Sequence, residues 1–73
     1  MLEFIDIDVR SIRTVTRYKG TIKDFQKLVP ALGITATYPK KGGLIMLGTN
    51  KQIDLIFNLR TNTIKISKWK DGF

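Results

Sequence analysis

The chain has no cysteine and no histidine. Without cysteine, neither a disulfide nor a thiolate metal site can brace it. Without histidine, the usual zinc chemistry and the commonest general base are both missing. Proline occurs twice, and no low-complexity run or internal repeat interrupts the 73 residues. No apolar run approaches the length of a membrane span, and residues 1–8 are acidic where a secretory leader would be basic. These features lead us to expect an intracellular, cytoplasmic protein that does not use a membrane.

What is present is that of a folded domain, with 42% hydrophobic residues in one short chain. A single core is only marginally sufficient at this size. A partner subunit is one way to supply the missing burial, so a homodimer stays open. The net charge is +7 and unevenly spread. Glu3, Asp6 and Asp8 lie at the start, and the rest of the chain holds thirteen basic against three acidic side chains, a balance of +10. Such an excess suits a polyanion, although charge also simply keeps small domains in solution.

The most regular stretch runs from Gly42 to Lys70. It reads as three β-segments, Gly43–Thr49, Gln52–Arg60 and Thr63–Lys70, joined at Asn50-Lys51 and Thr61-Asn62. Ile53, Leu55, Phe57 and Leu59 share one face of the middle segment, and Asp54, Asn58 and Arg60 the other, with Ile56 an apolar intruder. That period of two marks a strand with one buried face. In the third segment Ile64 and Ile66 point inward, and Lys65, Ser67 and Trp69 outward.

Residues 2–18 are β-compatible but change phase near Ser11-Ile12. Either one run carries a bulge or bend, or a short edge strand precedes a separate central one. Beyond Lys19-Gly20, Thr21 and Asp24 stand in capping-box positions, and Ile22, Phe25, Leu28, Val29 and Leu32 recur at helical spacing. Pro30 and Gly33 predict a short helix, from Ile22 to Leu28 or a little beyond. Ile34–Tyr38 alternates as a strand, Pro39-Lys40-Lys41-Gly42-Gly43 reads as a turn, and Asp71-Gly72-Phe73 as a loose tail. The expected fold is a single α+β domain: an antiparallel sheet of about five strands with one short helix on one face, in the order β-α-β-β-β-β.

A helix that short leaves the other sheet face uncovered. Its expected residues are Thr35, Thr37, Asp54, Asn58, Arg60, Lys65, Ser67 and Trp69, polar and basic with one large aromatic.

This order resembles one half of the TATA-binding protein fold, in Asp24–Leu28, Gly33–Tyr38, Gly43–Leu47, Asp54–Phe57 and Thr63–Ser67. The substrate-binding domain at the front of some bacterial ribonucleases H is similar in the same region. The likeness covers roughly two-thirds of the chain by order and hydrophobic pattern. It departs in lacking the second helix of each half and in replacing the Ser-Gly turn with Leu59-Arg60-Thr61-Asn62. The family's phenylalanine wedge would fall only on Phe57, which the alternation puts in the core, so that role is not transferred. The resemblance implies a curved sheet that cradles nucleic acid.

The candidate nucleic-acid residues are Arg10, Arg13, Arg17 and Lys19 on and after the first β-run, Lys40 and Lys41 at a turn, and Asn58, Arg60, Lys65, Lys68, Trp69 and Lys70 near the end. Cations on phosphates release condensed counterions and give binding that is largely sequence-independent. Trp69 between two lysines can stack on a base, or it can pack on the sheet edge and cover the core. Tyr18 and Tyr38 pose the same question more weakly. The carboxylates show no metal-cluster spacing; Asp6 and Asp8 share a face but read as a solvated edge, and Gly42-Gly43 lacks the length of a phosphate loop. The reading is therefore a non-enzyme without cofactor or metal, whose partner is nucleic acid, DNA before RNA. The alternatives are a protein-binding regulator or inhibitor that docks by its sheet edge or open face, and a homo-oligomeric structural piece.

Overall fold

The computed structural model describes residues 2–70. Six strands form one antiparallel sheet: β1 (Glu3–Val9), β2 (Arg13–Lys19), β3 (Thr37–Lys40), β4 (Ile45–Thr49), β5 (Ile53–Asn58) and β6 (Thr63–Trp69). A single helix, α1 (Ile22–Ala31), lies between β2 and β3. The spatial order is β1-β2-β6-β5-β4-β3. The expected class is therefore found, with six strands in place of about five and a β-β-α-β-β-β-β order.

The extra strand comes from the N-terminal run, whose phase change is a hairpin turn. Residues 10–12 reverse the chain, with the Arg10 N–H donating to the Arg13 carbonyl at 2.8 Å. β1 becomes an edge strand and β2 pairs along its whole length with β6. A separate register shift, a bulge, sits between Phe4 and Asp6.

Thr21 begins α1 with a complete capping box. Its hydroxyl accepts from the Asp24 N–H, and the Asp24 carboxylate accepts from the Thr21 N–H at 2.9 Å. That backbone bond is the main reason the Asp24 carboxyl is held below its ordinary range. The helix runs through Pro30 to Ala31, a little beyond Leu28, because a proline so near the end forfeits only one intrahelical bond. Gly33, at φ +73°, then turns the chain away, and the Ile34 N–H donates back to the Val29 carbonyl.

That exit corrects the next expectation. Ile34 is buried under the helix end instead of opening a strand, and pairing begins at Thr37 and continues through Pro39 and Lys40. Pro39 is tolerated because β3 is an edge strand. The turn is shorter than expected. Lys41, Gly42 and Gly43, all at positive φ, make the reversal, and β4 starts only at Ile45. β5 stops at Asn58, which leaves Leu59 and Arg60 in the turn to β6. Asp71–Phe73 lie outside the described residues.

Phe25, Ile34, Leu55, Phe57 and Ile64 form the core between α1 and the sheet, with Tyr18, Leu28, Val29, Leu32, Met46 and Ile66 against them. Phe25 and Phe57 stack with centroids 5.6 Å apart. Gly48 lies beneath the chain leaving the helix. A Cβ there would stand 2.9 Å from Cγ2 of Ile34 and 3.2 Å from Cγ2 of Thr37, so only glycine fits without displacement.

Candidate nucleic-acid interface

The sheet face turned away from α1 is uncovered, and strand pairing orders its chemistry. Residues directly opposite on antiparallel strands share a face. One row across that face reads Asp6, Arg17, Lys65, Ile56, Leu47 and Tyr38, from edge to edge. A parallel row reads Glu3, Lys19, Thr63, Asn58, Ile45 and Lys40. The face is thus striped along the strands. β1 is acidic, β2 and β6 are basic at Arg13, Arg17, Lys19 and Lys65, and the β5-β4-β3 side carries an apolar patch of Ile56, Ile45, Leu47 and Tyr38 among Asp54, Asn58, Thr49 and Lys40.

Arg17 sits at the boundary between the first two stripes. Its guanidinium grips the Asp6 carboxylate with two hydrogen bonds, Nε to Oδ1 at 2.8 Å and Nη2 to Oδ2. That contact lowers the Asp6 carboxyl and raises Arg17. Arg10 pairs likewise with Asp8 in the hairpin, Nε to Oδ1 at 3.0 Å. Asp6 and Asp8 therefore each face a guanidinium. Among the described residues no group of three or more histidine, cysteine or carboxylate side chains could hold a metal.

Beside the basic stripe lies a depression of about 380 Å³ lined by Arg17, Ile45, Ile56, Asn58, Thr61, Thr63 and Lys65. It joins two cations to an apolar floor. The Asn58 amide oxygen is engaged locally, accepting from the Arg60 N–H at 2.9 Å. Arg13 lies over the Trp69 ring, 5.3 Å from its centroid, so the indole is half-buried and steadied by a cation at the end of the stripe.

The expected site residues do not all meet here. Arg13, Arg17, Lys19, Lys40, Asn58, Lys65 and Trp69 share the open face. Lys68 pairs with Ile53 and Thr14 and stands on the helix side, so it does not flank the Trp69 ring as the sequence order suggests. Arg10, Lys41 and Arg60 are exposed in separate turns, and Lys70 follows β6 with its N–H donating to the Ile12 carbonyl. Three of the expected open-face positions, Thr35, Thr37 and Arg60, lie elsewhere, Arg60 in the turn after β5, and a fourth, Ser67, differs in depth. Thr37 pairs with Gly48 on the helix side. Thr35 lies outside the strands. Ser67 is on the open face yet buried, hemmed in by Val15 and Asp54 across the ladder.

Sequence reasoning also missed residues that matter. Ile45 and Leu47 complete the apolar part of the face, and only strand order brings them beside Ile56 and Tyr38. Asn50 is a second omission. Its oxygen accepts from the Gln52 and Ile53 N–H groups at 2.8 Å, and its amide donates to the Leu32 carbonyl at the helix end. An asparagine opening a tight turn was the available signal. Comparisons with protein families, with curated proteins and with solved structures each found no match.

Proposed function

We propose that the protein binds nucleic acid across this uncovered face, largely without sequence preference. The observation that carries the reading is the cross-strand row, in which a cationic strip abuts an apolar one. Phosphates lie along Arg13, Lys19 and Lys65 on β2 and β6, with Arg17 partly neutralised by Asp6. Bases lie toward Ile56, Leu47 and Tyr38 and against Trp69. That division suits a single strand, whose unpaired bases have faces to offer, better than a duplex, which hides them. DNA and RNA share this chemistry, and DNA remains the preferred substrate.

The stripe sets the salt dependence. Three unneutralised cations on a single strand give a slope of log K against log salt of about −2, at roughly 0.7 per phosphate contact. Anisotropy of labelled single-stranded DNA, RNA and duplex DNA measures this from low to moderate salt. Lys65→Gln should flatten the slope by about 0.7, whereas Lys51→Gln, in a turn outside the face, should leave it unchanged. Absence of binding at low salt would end the proposal, as would equal losses from Lys65→Gln and Lys51→Gln.

A further inference from the structure

The two edges of the sheet are built differently. β3 is four residues long, contains Pro39 without an N–H, and ends in Lys40, the features that keep an edge from accepting another strand. β1 has seven residues and neither proline nor lysine. Its one irregularity, between Phe4 and Asp6, leaves Asp6–Val9 in continuous register as a regular edge.

The two faces of β1 are also unlike. On the helix side Phe4, Ile7 and Val9 are 58, 54 and 64% exposed, because α1 covers the middle of the sheet and stops short of them. This apolar surface continues the core. Phe4 meets Tyr18 edge-to-face at 5.9 Å, and Tyr18 packs against the buried cluster. On the open side β1 carries Glu3, Asp6 and Asp8, half of the six acidic residues in a chain of net charge +7.

We propose that β1 is a strand-addition site for an extended segment of another protein in which basic residues alternate with apolar ones. Apolar side chains of the added strand would lie beside Phe4, Ile7 and Val9 and lengthen the core. Its lysines or arginines would lie beside Glu3 and share the Asp6 and Asp8 carboxylates with Arg17 and Arg10, in the cross-strand pairing that β2 already displays where Arg17 meets Asp6. A second copy of β1 does not fit. Antiparallel pairing of two such strands would gather the carboxylates of both on one face, and like charges across a ladder repel. The acidic edge equally disfavours nucleic acid, so this site and the open-face site take different partners and are tested separately.

The probe is a capped, fluorescein-labelled seven-residue peptide of alternating lysine and valine, titrated into the full chain without nucleic acid. Two controls accompany it: alternating glutamate and valine, and the same lysines and valines in two blocks. The alternating basic peptide alone should bind and should slow hydrogen exchange in β1. Ile7→Lys should weaken binding at least tenfold while leaving the melting transition in place, since Ile7 is exposed. Glu3→Lys with Asp8→Lys should transfer binding to the glutamate peptide. Three results would overturn the proposal: no binding by any peptide, equal binding of the blocked and alternating peptides, or a protein that sediments as a dimer which Ile7→Lys dissociates.

Discussion

Replacing Phe57 tests whether its ring serves the core or meets a ligand on the sheet. Phe57 is 1% exposed and stacks on Phe25 on the helix side of the sheet. Phe57→Ala should therefore act on stability. Truncating a buried phenylalanine costs about 3–5 kcal/mol. A chain of this length has roughly 4–11 kcal/mol to lose, at ~0.05–0.15 kcal/mol per residue. The alanine variant should lose between about a quarter and the whole of that stability. Phe57→Leu, which keeps most of the apolar bulk, should fold at a loss of roughly 1–2 kcal/mol, a lowering of the urea midpoint by about 1–2 M at a slope near 1 kcal/mol per M. Circular dichroism and Trp69 emission, followed together through urea, measure it. Measured under native conditions, Phe57→Leu should bind oligonucleotides as the parent does. A midpoint unmoved by Phe57→Ala, with binding lost, would mean that the ring faces a ligand and that the core has been misassigned.

Other substitutions and conditions test the remaining elements. Gly48→Ala should cost about 1–3 kcal/mol through overpacking against Ile34 and Thr37, and Thr37→Ser, which removes one of the two methyl groups, should recover part of the loss in a urea titration. Asn50→Ala should lower the urea midpoint by an amount worth about 1–3 kcal/mol, because one side chain serves both the β4–β5 turn and the Leu32 carbonyl. Thr21→Ala should remove about 1 kcal/mol by opening the cap. The folded carboxyls of Asp24 and Asp6 lie below the ordinary 3.8, so their contribution is complete above that value and is lost as pH falls through the lower folded one. The melting temperature should be level from pH 7 to 5 and drop below pH 4, less steeply in Asp24→Asn.

Legibility in the sequence followed the range of the interaction. β5 and β6 alternate, Ile56 apart, because each has one face under α1, so Leu55, Phe57 and Ile64 are identifiable as core from spacing alone. The cap at Thr21 and the stop at Gly33 were legible because both act within one turn of the chain. Ile34 and Thr37 misled because period-two alternation also occurs in a segment whose apolar residues are buried by crossing a helix end. The hairpin at residues 10–12 shows in the sequence only as a change of phase, since a bulge and a reversal leave the same trace on one strand. The alternation gives the face of Ser67 but not its depth, which depends on Val15 arriving from β2. The stripes of the open face were illegible for the same reason. They exist only across strands, and Lys68 shows how two neighbours in sequence can stand on opposite sides of a sheet.

The pairing of β2 with β6 has a consequence for how this chain acquires its fold. Every other ladder joins strands adjacent in sequence, while this one closes residues 13–19 on residues 63–69 across the helix and three intervening strands. Closing so long a loop costs chain entropy before any contact repays it, and such closures slow folding. The order that follows is α1 with the β3–β6 meander first and the β1–β2 hairpin docking last. A mutation in the seam, at Thr16 or Ile66, should then mainly accelerate unfolding, and one in the meander should slow folding. Until that last docking step the second edge of the unfinished sheet is β6 itself, and a chain emerging slowly would expose it to its neighbours.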